Sequence, residues 1–155
     1  MTKFVADVHL GKLARLLRLL GFDTVYSNSC TKEELLHTAV TEERVLLSRN
    51  PAFKKQYALR SVIINSEEPE EQVNQVIGQP EVRKEIRPFT RCLRCNGRLQ
   101  PVAKETALPL LEEDTRLYYH EFWQCDSCDQ LYWKGPHYNR MMNTLRRLGI
   151  LPDDR

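Results

Sequence analysis

The sequence predicts an α/β fold: a parallel sheet flanked by helices, with a small cysteine-rich module and a terminal helix after it. Three observations carry this reading. Short apolar or β-branched runs alternate with amphipathic stretches up to Ile77, helical periodicity stops after Pro88, and two C-x-x-C pairs follow at Cys92/Cys95 and Cys125/Cys128.

The alternation runs Phe4 to Val8, then Gly11 to Leu20; Thr24 to Tyr26, then Lys32 to Glu42; Val45 to Ser48, then Pro51 to Leu59; and Val62 to Ile64, then Pro69 to Ile77. Parallel strands need crossover connections, and helices are the usual crossover. Gly21 stands where a helix ends on a left-handed residue, and Pro51 where a helix can start without an amide hydrogen. Beyond Ile86 the chain reads as short strands, Leu99 to Ala103, Glu121 to Gln124 and Gln130 to Trp133, with Leu108 to Asp114 as a loop or hairpin arm. His137 to Leu148 returns to helical spacing and is closed by Gly149 and Pro152. The expected domains are residues 1–88 and 89–155.

Composition bounds the class. The 155 residues are 41% apolar and 28% charged, which fits a soluble globular chain of one α/β unit with a small appendage. No run reaches the roughly 18 apolar residues of a membrane span, and Met1 to Val8 has no secretory n-region or h-region, so a cytoplasmic protein without a membrane partner is expected. The net charge of +2 does not by itself indicate a nucleic-acid partner.

Four of the five cysteines form the two C-x-x-C knuckles. Each knuckle turns two sulfurs toward one point, and four thiolates can close a tetrahedron around zinc. Two disulfides or a dithiol redox site are the competing readings, and a reducing compartment disfavours both. Four-sulfur ligation leaves no open position, so Cys92, Cys95, Cys125 and Cys128 are expected to hold a structural zinc. His120 and His137 lie near enough in sequence to substitute as ligands, but four sulfurs suffice. The strands around the knuckles then describe a zinc ribbon.

Chemistry is expected beyond the carboxyl ends of the strands, where open parallel sheets bind ligands. Asp7 and Asn50 occupy such positions. A carboxylate at the end of an apolar strand needs a crevice, a metal or a hydrogen-bond partner; capping of the helix near Leu10 is the structural alternative for Asp7, and an N-cap before Pro51 for Asn50. Lys12, Arg15 and Arg18 form a basic stripe on the first helix. Arg83, Lys84, Arg87, Arg91, Arg94 and Arg98 cluster across the expected boundary, and Arg140, Arg146 and Arg147 lie on the last helix, as a positive groove along a phosphate backbone requires. Ordinary solvated faces are the alternative for each run. Phe122, Trp123, Tyr132, Trp133 and Tyr138 are ribbon aromatics, one or two of them available to stack on bases.

The run from Phe4 through Asp7, His9, Gly11, Lys12, Arg15, Arg18 and Gly21 to Thr24 resembles the Mut-seven C-terminal RNase domain, a PIN-like family. The likeness extends through Glu43 to Asn50, Arg91 to Asn96, and Tyr132 to His137 and on to Met141. It implies a PIN-like α/β domain followed by a four-cysteine zinc ribbon, RNA as partner, and phosphodiester hydrolysis with Mg or Mn. Such hydrolysis needs several carboxylates converging on one or two metal ions. Asp7 matches the family's first-strand aspartate, whereas Asn50 stands where the Thr-Arg-Asp pattern has its acid and Lys32 where an acidic residue commonly opens the second helix. Glu33, Glu34, Glu42 and Glu43 are nearby in sequence as replacements, but helical geometry keeps them from all facing one crevice.

The resulting expectation is an RNA-binding protein of a PIN-like metal-dependent ribonuclease family with weakened hydrolysis. Asp7 is the principal Mg or Mn ligand, with Asn50 and either Glu33 or Glu43 as auxiliaries. Lys12, Arg15, Arg18, Arg49, Arg91, Arg94 and Arg140 contact RNA, whether structured or at single-stranded ends. The alternatives are a non-catalytic RNA- or ribonucleoprotein-binding adaptor with a degenerate nuclease site, and a zinc-ribbon protein-interaction module.

Overall fold

The computed structural model describes residues 1–55 and 59–152. Contacts divide the chain into two units, Met1–Asn96 and Gly97–Arg155.

In the first unit, β1 (Lys3–Ala6), β2 (Asp23–Tyr26), β3 (Val45–Ser48) and β4 (Ser61–Ile63) form a parallel sheet in the order β2-β1-β3-β4. The register sets Val5 opposite Val25 on one side and Leu46 on the other. The crossovers are α1 (Gly11–Leu19) and α2 (Lys32–Thr41), and α3 (Pro69–Ile77) and α4 (Pro80–Arg83) follow β4. The chain moves from β1 to β2 on one side and then crosses to β3 on the other; right-handed crossovers therefore put α1 and α2 on opposite faces of the sheet. Leu35 and Ala39 of α2 pack on Val5, Leu46, Phe53 and Ile63. The leucines of α1 are spaced to bury Leu13 and Leu17 completely, and α1 also packs against α3. Gly21 takes φ +94° at the end of α1, where an added Cβ would lie 2.8 Å from Thr90 Oγ1. Arg87 and Phe89 donate their amides to the carbonyls of Leu20 and Leu19, which leaves no room there for a side chain.

In place of the helix expected over Pro51 to Leu59 there is a 3-10 turn over Pro51–Lys55, and residues 56–58 of that expectation lie outside the described residues. Only Phe53 of this turn is buried, so no apolar stripe rewards a longer α-helix within it.

The second unit has an antiparallel sheet of β5 (Leu99–Val102), β6 (Phe122–Cys125) and β7 (Leu131–Tyr132), and the helix α7 (Pro136–Arg147). Between β5 and β6 lie α5 (Lys104–Ala107), a 3-10 turn over Leu108–Leu110 and α6 (Glu113–Tyr118). This corrects the loop or hairpin arm expected for Leu108 to Asp114. Ala107 and Leu111 are buried on Phe122 and Leu131, and this small core folds the connection back in short helical turns.

Candidate functional site

The two knuckles are built alike. In the first, the Asn96 amide donates to the Cys92 carbonyl at 2.9 Å; in the second, the Asp129 amide donates to the Cys125 carbonyl at 3.2 Å. Each turn ends on a left-handed residue, Asn96 at φ 75° and Asp129 at φ 64°. Asn and Asp tolerate that conformation, which is why the second knuckle does without the glycine of the first. Gly97 has a different task, because a Cβ there would lie 2.5 Å from Cys125 Sγ. Ser127 and Cys128 donate their amides to Cys125 Sγ, both at 3.4 Å.

One ligand atom from each of Cys92, Cys95, Cys125 and Cys128 can be drawn into a set lying within 4.8 Å of one another. Sulfurs about 2.3 Å from a tetrahedral zinc are separated by roughly 3.8 Å, so the donor set and its spacing fit such an ion. No histidine belongs to the cluster.

The first knuckle is tied to the sheet by three side chains. Asn96 accepts from the Thr24 amide at 2.9 Å and donates to Asp23 Oδ1 at 2.7 Å. Arg91 donates to the Gly21 and Asn96 carbonyls. Arg18 is buried and donates to the Thr24 carbonyl at 3.0 Å and the Leu93 carbonyl at 3.1 Å. Asp23 also pairs with the buried Arg44 at 2.8 Å. Burial raises the Asp23 pKa, but hydrogen bonds from Arg44 and Asn96, with the charges of Arg44 and Arg91, outweigh it and hold the carboxyl below its ordinary value.

A second site lies where the strand order reverses, at the carboxyl ends of β1 and β3. A cleft of about 190 Å³ opens there, lined by Asp7, Val8, His9, Cys30, Thr31, Lys32, Leu35, Asn50 and Phe53. Asp7 is the first residue past β1. Its Oδ1 accepts from the His9 amide at 3.0 Å and its Oδ2 from Ser48 Oγ at 3.0 Å. Ser48 Oγ in turn accepts from the Asn50 amide, and Asn50 Oδ1 accepts from the Ala52 amide, both at 3.0 Å. Asp7 thus ties the β1 and β3 exits together, and Asn50 caps the 3-10 turn. The Cys30 thiol is pushed up by burial, then by the charges of Glu34 and Asp7, which keeps it protonated at neutral pH.

The other acidic candidates are placed elsewhere. Glu33 is exposed in the first turn of α2 and does not line the cleft. Glu43, at φ 53°, precedes β3 and so stands at the opposite edge of the sheet from Asp7. Glu42 pairs with Arg44 at 2.9 Å. Among the described residues Asp7 is the only carboxylate lining the cleft, and the four cysteines are the only group of three or more His, Cys, Asp or Glu placed to share a metal. This set does not fit a divalent ion, which takes several oxygen ligands including charged ones.

Cations do gather at this end of the sheet. Lys12 lies in the first turn of α1, Lys32 opens α2 with its Nζ 5.4 Å from the Phe53 ring centroid, and Arg49 follows β3 with a long 3.8 Å pair to Glu67. Lys54 and Lys55, exposed on the 3-10 turn, belong to the same edge and were missed by the sequence reading. The available signal was their position a few residues past the β3 exit. Arg15 is exposed farther along α1, whereas Arg18 and Arg91 are engaged with backbone carbonyls as described. Arg94 is exposed on the first knuckle, and Arg140 is exposed on α7 in the second unit.

Among the ribbon aromatics, Phe122 is buried and packs with Trp133 at 6.1 Å, while Lys134 Nζ lies over the rings of Trp123 at 5.8 Å and Tyr138 at 5.9 Å. No described helix is long and apolar enough to cross a membrane.

The family model of the Mut7-C RNAse domain matches residues 2–145, nearly the whole chain, and the chain belongs to that family. No curated protein and no solved structure matches it. The family connects the chain to nuclease-like, RNA-related function.

Proposed function

We propose that this member of the Mut7-C RNAse domain family binds RNA through phosphate contacts at the carboxyl edge of its parallel sheet and has little or no hydrolytic activity of its own. The observation that carries the reading is the cleft at the switch point, which holds one carboxylate, already hydrogen-bonded through both oxygens, with Lys32 and Asn50 beside it. Family membership supports RNA as the polyanion. The exposed Lys12, Lys32, Arg49, Lys54 and Lys55 supply positive charge along this edge, and Arg15, Arg94 and Arg140 are further exposed candidates.

The four cysteines hold a structural zinc in this reading. Their all-sulfur donor set is the support, and it leaves no position for substrate. Ligating thiolates need a reducing compartment, consistent with a cytoplasmic location. Residues 1–88 and 89–155 are then an RNA-contacting domain and a zinc ribbon with its helix.

The test pairs RNA binding with cleavage. Purified protein should bind a single-stranded oligoribonucleotide with an affinity that falls steeply as salt rises, and should leave it intact in Mn²⁺. Cleavage above a blank that drops by orders of magnitude in Asp7→Asn, with binding retained, would establish the family's ribonuclease activity here instead. Absence of any salt-sensitive RNA binding would refute both readings.

A further inference from the structure

The misfit between the cleft and a divalent ion points to what occupies the same electrostatic role. We propose that the Lys32 ammonium replaces a metal ion at the switch point, so that the cleft holds a phosphate group of RNA directly. This rests on the RNA reading above and adds the group and the contact that make it.

The first step concerns charge. A divalent ion at this end of the sheet would meet one carboxylate, Asp7, and an ammonium lining the same cleft. Two positive charges within one small cleft repel each other, and Asp7 alone cannot offset both. A phosphate has the opposite requirement. It needs positive charge and hydrogen-bond donors, with few competing acceptors.

The second step concerns donors. Asn50 Oδ1 is taken by the Ala52 amide, which leaves its Nδ2 hydrogens as the available polar function. The Asp7 oxygens are engaged by the His9 amide and Ser48 Oγ. Lys32 makes no ion pair within 4.0 Å among the described residues; its Nζ instead faces the ring of Phe53, itself buried, at 5.4 Å. An aromatic wall holds an ammonium at the cleft without neutralising it. Lys32 and Asn50 therefore line the cleft with donors on two separate segments. Asp7 is a positioning residue here: through Ser48 it fixes the loop that carries Asn50.

The third step concerns the place. Lys32 opens a ten-residue helix. Its first turn also carries Glu33 and Glu34, which offset the partial positive charge of the helix amino end, so the positive charge on this side of the cleft is the Lys32 ammonium itself.

The experiment uses full-length protein loaded with zinc, in buffer freed of other divalent ions by a chelating resin. The wild type should bind a single-stranded oligoribonucleotide without added Mn²⁺, addition of Mn²⁺ should not strengthen binding, and electron paramagnetic resonance on the protein without RNA should find the added Mn²⁺ free in solution. Lys32→Gln should weaken binding by about tenfold, equivalent to roughly 1.4 kcal/mol. It should also reduce the salt slope by about 0.7, the share of one single-strand phosphate contact. The double variant Lys32→Glu/Asn50→Asp should lose RNA affinity in metal-free buffer and acquire Mn²⁺ binding. Oligonucleotides with and without a 5′-phosphate separate the sources: a Lys32 effect confined to the phosphorylated one assigns a terminal phosphate, and an equal effect on both assigns an internal one. Wild-type RNA binding that requires Mn²⁺, or RNA binding unchanged in Lys32→Gln with the same salt slope, would overturn the proposal while leaving RNA recognition standing. Failure of the wild type to bind RNA at all would remove both.

Discussion

The four-cysteine cluster and the switch-point cleft both form at the ends of secondary-structure elements, yet one has a full set of metal donors and the other a single carboxylate among its described lining residues. At the cluster, four soft donors gather within 4.8 Å, and amides point at Cys125 Sγ. At the cleft, Asp7 is engaged by its neighbours and a lysine lines the wall. A fold can therefore keep the place for a metal at one point and its chemistry at another. What distinguishes them is the donor count, since a thiolate tetrahedron and an oxygen cage each fail when most of their charge is missing.

The sharpest break in that contrast is the removal of one sulfur. Cys95→Ser should release zinc and unfold the C-terminal third, because a structural zinc contributes on the order of 10 kcal/mol and the ribbon core is small. Metal analysis should find no zinc in the variant, and limited proteolysis should cut within residues 97–152. A folded variant without metal would show that the cluster is not what holds this region. Gly97→Ala is a gentler version of the same test. The new methyl would press on Cys125 Sγ at 2.5 Å, and overpacking of this kind costs up to about 3 kcal/mol, visible as a lower melting temperature with easier zinc loss to a chelator.

Asp23→Asn probes how the first knuckle is held. It removes the charge that faces Arg44 and Asn96, at a cost of about 2 kcal/mol by urea unfolding. The sign of the pH dependence follows from the depressed carboxyl pKa. The stabilisation is present above the unfolded value of 3.8 and is lost as pH falls through the lower folded value. The gap between wild type and variant should stay constant from about pH 7 to pH 5 and close below about pH 4. A gap unchanged at low pH would separate the ionised pair from the effect.

The sheet, its crossovers and the cysteine cluster were legible because each leaves a periodic or spaced signal: leucines at helical intervals in α1, β-branched runs in the strands, and C-x-x-C twice. The roles of individual charges were less legible. Arg15 and Arg18 share a stripe by spacing, but Arg18 turns inward because the carbonyls of Thr24 and Leu93 need a buried donor. The Leu93 carbonyl comes from a segment 75 residues from Arg18, which no local pattern reveals. Glu43 looked close to Asn50 in sequence, yet β3 runs between them and carries the two to opposite edges. Leu108 to Asp114 read as a loop since its short turns follow a small core, Phe122 and Leu131, that lies later in the chain.

The smallest effect tests the cation edge itself. Lys54 and Lys55 are exposed on the turn after β3, outside the cleft lining. Each should contribute by long-range attraction or a single phosphate contact, so Lys54→Ala or Lys55→Ala should weaken RNA binding a few-fold, under about 1 kcal/mol, and the loss should shrink as salt rises. Stability should stay within about 0.5 kcal/mol because neither side chain is buried. Fluorescence anisotropy across a salt series measures this. A larger loss for Lys32→Gln than for either turn lysine would place the strongest contact in the cleft, where an aromatic wall holds the ammonium. Equal losses at all three positions would mean that the edge attracts RNA as a diffuse field, and the cleft would then have no privileged part in binding.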